Sequence, residues 1–181
     1  MVEEDTASTG EDSGSDSGGE GGGDAGGDDE PIREIPDDAI VTEEGTCHSA
    51  AVLAAADGAV FDEVTVLSYP HGLNVATMLG SAEDVANFQA AYGIELNTTG
   101  VNFETQSVLY AQTSVSQTCG PEEAVKHVVQ IDGAAHLSLE LWVPDATCDE
   151  VCDMSWTEFA AIVVQREPNL SACSRSIEFC E

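Results

Sequence analysis

The sequence is poor in basic residues, and this scarcity excludes one class of function. Only four of the 181 residues are Lys or Arg, against 35 acidic residues, so the formal net charge is −31. Proteins gain affinity for nucleic acids by neutralising phosphates with Lys and Arg side chains. We therefore expect no nucleic-acid partner.

Long apolar runs are also missing. No segment approaches the roughly 20 consecutive apolar residues that a helix needs to span a bilayer. The N-terminal residues lack the basic region and the apolar core of a signal peptide. Contact with a membrane is therefore expected only through an N-terminal lipid anchor, which this chain does not contain.

The first thirty residues have almost nothing from which to build a core. They are nearly all Gly, Ser, Asp, Glu, Thr and Ala, and no aliphatic or aromatic residue larger than Ala follows Val2. Such a composition favours an extended, disordered spacer. We interpret residues 1–38 as a tether and residues 39–181 as one domain, a common domain size. Leaders of this kind resemble those of bacterial lipoproteins, which implies an extracytoplasmic place at the outer membrane, in the periplasm or on the cell surface.

The domain itself is acidic as well. Fourteen acidic residues lie at or before Asp38, so 21 remain in the domain against three basic ones, a net charge of −18. Such a charge keeps a protein soluble and favours a monomer through repulsion between copies. Adaptation to a saline habitat is the alternative, because salt screens the self-repulsion. The sequence leaves both explanations open.

Cysteine usage indicates an oxidising compartment. The domain holds an even number of cysteines, at a density unusual for a reduced protein: Cys47, Cys119, Cys148, Cys152, Cys173 and Cys180. Six cysteines allow fifteen pairings, and the sequence alone does not choose among them. The register of a predicted hairpin favours a bridge from Cys119 to Cys148. A second from Cys173 to Cys180 across a short C-terminal loop would leave Cys47 for Cys152. A zinc site at Cys148 and Cys152 is the rival interpretation, but the second ligand pair of such a site is missing. We expect neither metal nor cofactor.

Hydrophobic patterns predict a domain of the α+β class, a small antiparallel sheet with one packed helix, stabilised by disulfides. The predicted helix covers residues 81–92, from the capping residue Ser81 to a stop at Gly93. Residues 47–56 fit either a helix or a buried strand. The predicted strands are 59–69, 73–79, 107–115, 125–131, 136–143 and 159–166.

Two of these strands form a predicted hairpin around the turn Asp132-Gly133. Pairing Val129 with Leu139 or Leu137 keeps the apolar faces together. That register places His127 and His136 on opposite faces. A two-histidine metal site there would need a shifted register.

The order of elements resembles the PrcB-type C-terminal domain of bacterial lipoproteins. The likeness covers roughly residues 65–167 and includes the helix, the motif VNFE at 101–104, the apolar strand SVLYAQ at 107–112 and the last strand AAIVV at 160–164. Asn102 stands where that family commonly has Asp. Ser114 begins a segment that replaces a Gly-rich motif. The resemblance implies a non-catalytic accessory module, as in the family's namesake, a stabilising subunit of a protease complex.

No catalytic motif supports an enzyme. The sequence lacks a nucleophile elbow, a zinc-protease helix, a phosphate-binding loop and a dinucleotide fingerprint. The four histidines, His48, His71, His127 and His136, show no ligand spacing. Trp142 and Trp156 flank the cysteine loop. They form a candidate binding surface if both are exposed, although packing over the bridge from Cys119 to Cys148 is the usual role of such a Trp.

These observations predict a non-enzymatic, exported or surface-tethered binding domain that engages another envelope or extracellular protein. The alternative is a secreted metal-dependent enzyme or metal-binding protein. Bound metal would distinguish the two.

Overall fold

The computed structural model describes residues 33–56, 61–118, 120–144 and 154–180. All of them belong to one compact unit, Ile32–Glu181; the other unit, Met1–Pro31, lies outside the described residues, as does most of the predicted tether. The described residues form these elements: β1 Ile40–Gly45, α1 Ala50–Ala54, β2 Asp62–Glu63, β3 Thr65–Ser68, β4 Val75–Leu79, α2 Ala82–Tyr92, β5 Glu95–Asn97, β6 Gln106–Thr118, β7 Glu123–Ile131, β8 Ala134–Pro144, β9 Met154–Gln165 and β10 Ser171–Phe179.

The predicted fold class, a small antiparallel sheet with one helix, is wrong because strands dominate the structure. They form sheet A, in the order β1-β10-β8-β7, sheet B, in the order β2-β9-β6-β4, and the two-stranded sheet C of β3 and β5. Sheet A is mixed, since β10 runs parallel to β8 and antiparallel to β1. The prediction missed β1 and β10, which supply half of the strands of sheet A.

Sheets A and B pack face to face as a sandwich. One core cluster contains Leu137 and Leu139 of β8 together with Leu109 of β6 and Ile162 of β9, and all four side chains are nearly inaccessible to solvent. Apolar burial of this kind is the main source of folding free energy. The other face of sheet B is also covered, because Phe88 of α2 packs with its residues. Sheet B is therefore buried on both faces.

Helix α2 confirms the predicted helix at both ends. The Ser81 hydroxyl accepts a hydrogen bond from the Asp84 backbone N–H, and the Asp84 carboxylate accepts one from the Gly80 N–H. Gly93 ends the helix in the left-handed conformation, with φ of 69°. The residues left open at 47–56 form the short helix α1, which begins after Ser49.

The β7–β8 hairpin has the predicted turn but a different register. Asp132 and Gly133 have φ angles of 53° and 82°, which suit a two-residue hairpin turn. The turn fixes Ile131 opposite Ala134, and this places Val129 opposite His136 instead of a leucine. An odd shift in register moves every side chain of one strand to the other face. The predicted register is therefore wrong, and His127 and His136 lie on the same face.

Two of the three predicted disulfide bridges, Cys173–Cys180 and Cys47–Cys152, are also wrong. Cys47 is bonded to Cys173, 126 positions away. The residues after Cys173 continue as an extended strand, and seven residues of strand span roughly 23 Å, too far for a bond to Cys180. Cys180 is nevertheless disulfide-bonded. The predicted bridge from Cys119 to Cys148 lies outside the described residues, and so does Cys152.

The position of β1 explains the observed bridge. Gly45, the last residue of β1, is paired with Cys173. It has φ of +87°, and an added Cβ would lie 2.2 Å from the Ala172 carbonyl oxygen, so only glycine fits there. The chain turns at Gly45 and brings Cys47 over β10.

Candidate functional site

The buried His, Glu and Arg side chains of the described residues lie on the face of sheet A that points away from sheet B. We call this face the outer face. Paired residues of β8 and β10 share it, and nearly all of them are buried: His136, Ser138, Glu140 and Trp142 on β8, and Ser171, Cys173, Arg175, Ile177 and Phe179 on β10.

Trp142 is covered on this face. Its indole is 3% exposed and packs with Ile177 and Phe179. The guanidinium of Arg33, a residue that the sequence analysis assigned to the tether, lies 4.5 Å from the ring centroid of Trp142 and 4.9 Å from that of Phe179. Arg33 also pairs with Glu122 at 2.6 Å. The chain just before β1 therefore covers Trp142.

Trp156, the other predicted binding residue, is exposed. It lies on β9, is 39% exposed, and donates its indole N–H to the Glu158 carboxylate at 2.9 Å. Because Trp142 is buried, the two indoles do not form the shared exposed surface considered from the sequence. Trp156 alone stays available to solvent.

A buried charge network crosses the outer face. Arg175 is paired with Glu140 at 2.8 Å and with Glu43 of β1 at 2.7 Å, and it donates to the His48 carbonyl at 3.2 Å. The side chains of Arg175 and Glu140 are 6% and 5% exposed. Buried charges are tolerated when they are paired and hydrogen-bonded, and removing one partner is costly. Two carboxylates share one guanidinium, so the network keeps a net negative charge.

Two histidines, His48 and His136, meet beside this network. The rings of His48 and His136 are in edge-to-face contact, with centroids 4.4 Å apart, and His136 shares a hydrogen bond of 2.5 Å with the Ser171 hydroxyl through Nδ1. Burial, helped by the electrostatic effects of His48 and His127, lowers the pKa of His136 to about 4. His136 is therefore neutral at pH 7. The fourth histidine, His71, instead shares a hydrogen bond with Thr157 of β9.

Ser171 and His136 are as close as a catalytic serine and its base, but their surroundings differ from those of a catalytic pair. A catalytic serine needs a base that is oriented by a third group, and a path for the substrate. His136 is 1% exposed, and among the described residues its Nε2 has no hydrogen-bond partner. The buried imidazole is out of a substrate's reach. The pair holds β8 and β10 together.

Metal ligation is not supported within ranges 33–56, 61–118, 120–144 and 154–180. No group of three His, Cys, Asp or Glu side chains there is placed to hold a metal ion. The proposed zinc ligands Cys148 and Cys152 lie outside these ranges.

A shallow cavity of about 180 Å³ opens between β2 and the loop after β5. Glu63 on its rim is paired with Lys126, which lowers the pKa of the Glu63 carboxyl. Asn97 and Gln106 also line it, but each side-chain oxygen already accepts a backbone hydrogen bond. These three polar side chains of the cavity are thus already bonded within the protein.

Strand β1 is the most open edge of the sandwich. Its sequence is IVTEEG, and all six residues are exposed, Ile40 by 59% and Val41 by 38%. Among the other outer strands of sheets A and B, β4 and β7 are partly buried and β2 has only two residues. An edge strand offers unpaired backbone N–H and C=O groups to another strand. β1 is thus the candidate interaction surface.

Sequence reasoning missed Arg175 and its acidic partners Glu43 and Glu140. A signal existed, because Arg175 is one of only four basic residues in a chain of 35 acidic ones. A cation retained among so many carboxylates is a good candidate for a buried ion pair. The pairing itself depends on the strand order, which the sequence does not show.

Within the described part of the chain, neither helix has the length and hydrophobicity needed to cross a membrane. No protein-family model, curated protein or solved structure matches this sequence. The likeness to the PrcB-type domain therefore stays a prediction.

Proposed function

We propose that this protein is a non-catalytic, exported or surface-tethered domain that binds another envelope or extracellular protein through the edge of β1. The observation that carries the proposal is the exposure of all six residues of β1 at one end of sheet A. Extended segments of partner proteins bind such edges as an added strand.

The weak protection of β1 against strand addition supports this assignment. Natural proteins guard sheet edges with charged side chains, above all Lys, and with Pro, bulges or a covering loop. β1 contains neither Lys nor Pro, and its six residues pair with β10 without a bulge. Glu43 and Glu44 are its charged residues, and they disfavour another acidic strand rather than every strand.

The disulfide supports the extracytoplasmic part of the proposal. A bond between Cys47 and Cys173 is stable in oxidising compartments and rare in the cytosol. The acidic, Gly-rich leader has the composition of a flexible spacer, which would hold the domain away from an anchoring surface. An accessory module of the PrcB type would fit both features.

Photo-cross-linking in the cells that produce the protein tests this function. A photoreactive residue in place of Thr42 on β1 should give one discrete adduct with a second protein. The same residue in place of Tyr92, which is 43% exposed on α2, is the matched control and should give none. No adduct from position 42, or equal adducts from both positions, would refute the proposal.

A further inference from the structure

We infer that the segment bound by β1 is an extended strand that contains a pair of consecutive apolar residues and, nearby, a pair of consecutive basic ones. This inference rests on the proposed function, since it specifies the partner of the same edge. It follows from the backbone, the side chains and the charges of β1.

The backbone of β1 determines that the partner is extended. One side of β1 is paired with β10, from Ile40 opposite Glu178 to Gly45 opposite Cys173. Alternate N–H and C=O groups of an edge strand point away from its neighbour. A partner satisfies a row of such groups only when it lies beside β1 as a strand.

The side chains of β1 determine the order of apolar and basic residues in the partner. Successive side chains in a strand point to opposite faces, so Val41 and Glu43 share one face while Ile40, Thr42 and Glu44 share the other. Each face offers an exposed apolar residue followed by a carboxylate. Residues opposite each other on neighbouring strands interact directly. A matching partner therefore has two consecutive apolar residues opposite Ile40 and Val41, and two consecutive basic residues opposite Glu43 and Glu44.

The local charge selects basic residues. Glu43 and Glu140 share the single guanidinium of Arg175, and Glu44 adds a third carboxylate, so the charges at β1 sum to a negative value. Glu43 keeps a side-chain exposure of 46% while it contacts Arg175. Lys or Arg opposite these carboxylates is favourable, and an acidic residue there is repelled.

Two other occupants of the edge fit these observations poorly. A second copy of the chain would bring Glu43 and Glu44 of each β1 towards the same residues of the other, between molecules of net charge −31. The chain's own leader, residues 1–30, is acidic and nearly devoid of larger apolar residues. Neither offers basic side chains to β1.

Binding of short blocked peptides to the full chain tests the inference. The probe, called the Lys/Val peptide, has the pattern Val-Val-Thr-Lys-Lys-Thr-Val-Val-Thr, which offers adjacent Val and Lys pairs in either strand direction over about nine residues, enough to cover the six residues of β1. Two controls share its length: a Glu/Val peptide, and the Lys/Val peptide with alternate backbone nitrogens methylated so that one edge cannot donate. Backbone amide NMR shifts report where each peptide binds, and their titration gives the affinity.

The expected result is binding of the Lys/Val peptide with shift changes centred on residues 40–45. The N-methylated peptide should bind at least about tenfold more weakly, since it loses the backbone bonds. Affinity should fall as NaCl is raised from about 50 mM to about 500 mM. Glu44→Gln should weaken binding several-fold. Glu83→Gln, an exposed acidic residue in the first turn of α2, is the matched control and should not.

Three outcomes would overturn the inference. Equal binding of the N-methylated peptide, or shift changes spread over the leader, would show unspecific attraction to an acidic protein. Equal binding of the Glu/Val peptide at β1 would show an edge without charge selection. An adduct at position 42 with no binding of the Lys/Val peptide would retain the proposed function and reject a basic partner.

Discussion

The ring of His48 meets the ring of His136 edge to face at 4.4 Å, one residue away from the disulfide that joins Cys47 to Cys173. A loop that leaves β1 is thus held on the outer face of sheet A by a covalent bond and by an imidazole contact. The Arg175 guanidinium adds a third contact through the His48 carbonyl. Each of these contacts has a measurable consequence.

The buried His136 predicts a loss of stability in mild acid. Its pKa is about 4 in the folded protein, below the ordinary 6.5, so the unfolded state takes up a proton that the folded state excludes. The contribution of the neutral His136 to the free energy of unfolding is fully present above about pH 6.5 and is lost as the pH falls from there towards 4. We expect a loss of about 2 kcal/mol between pH 7 and pH 5.

Urea unfolding of wild type and His136→Gln at several pH values between 7 and 5 measures this effect. The variant should lose most of the pH dependence, because its side chain does not titrate. His71→Gln, which alters an exposed histidine outside the cluster, should keep it. A wild type whose unfolding free energy is flat over this range would contradict the assignment of His136 as a buried neutral group.

Removal of the Cys47–Cys173 bond should destabilise the domain strongly. The bond closes a loop with a sequence separation of 126, and a disulfide of this kind contributes about 2 to 5 kcal/mol. Thermal unfolding of the double variant Cys47→Ala/Cys173→Ala measures the loss. Peptide mapping without reduction should recover the linked pair from wild type, and a Cys173–Cys180 peptide in its place would disprove the pairing.

Arg175 is expected to be far more important for stability than the exposed basic residues. Arg175→Met leaves the Glu140 carboxylate buried without its cation, at an expected cost of about 3 to 5 kcal/mol. Adding Glu140→Leu removes that buried charge and should recover much of the loss. Lys126→Met, which breaks an exposed pair with Glu63, should cost about 0 to 1 kcal/mol. Chemical unfolding that ranks the two single variants equally would contradict the buried network.

Salt should stabilise this protein if its acidity is an adaptation to a saline environment. Self-repulsion among 35 acidic residues is screened as the ionic strength rises. The melting temperature should then increase by several degrees between low salt and about 1 M NaCl. A melting temperature that stays constant would leave solubility as the reason for the charge.

Local signals in the sequence predicted local structure well. The cap at Ser81 and the stop at Gly93 predicted α2, and Asp132-Gly133 predicted the hairpin turn. Each of these features depends on residues close together in the chain. The predicted register of the hairpin was wrong. A two-residue turn at Asp132-Gly133 places Val129 opposite His136, whereas the prediction paired Val129 with a leucine.

Long-range relationships were not accessible from the sequence. β10 reads SACSRSIEF, and its small side chains Ala172, Ser174 and Ser176 are buried, so it lacks the alternation that marks a strand. Without β10, neither the sandwich nor the bond from Cys47 to Cys173 is predictable. The convergence of His48 with His136 depends on the same strand order.

Residue-resolved hydrogen exchange in the free, full-length chain tests most directly whether β1 is an open edge. The account predicts that alternate amides of Ile40–Gly45 exchange as fast as amides in exposed loops, while those bonded to β10 and those of the central strand β8 are protected. Uniform protection along β1, equal to that of β8, would show that the edge is already covered in solution and would contradict the proposed binding surface.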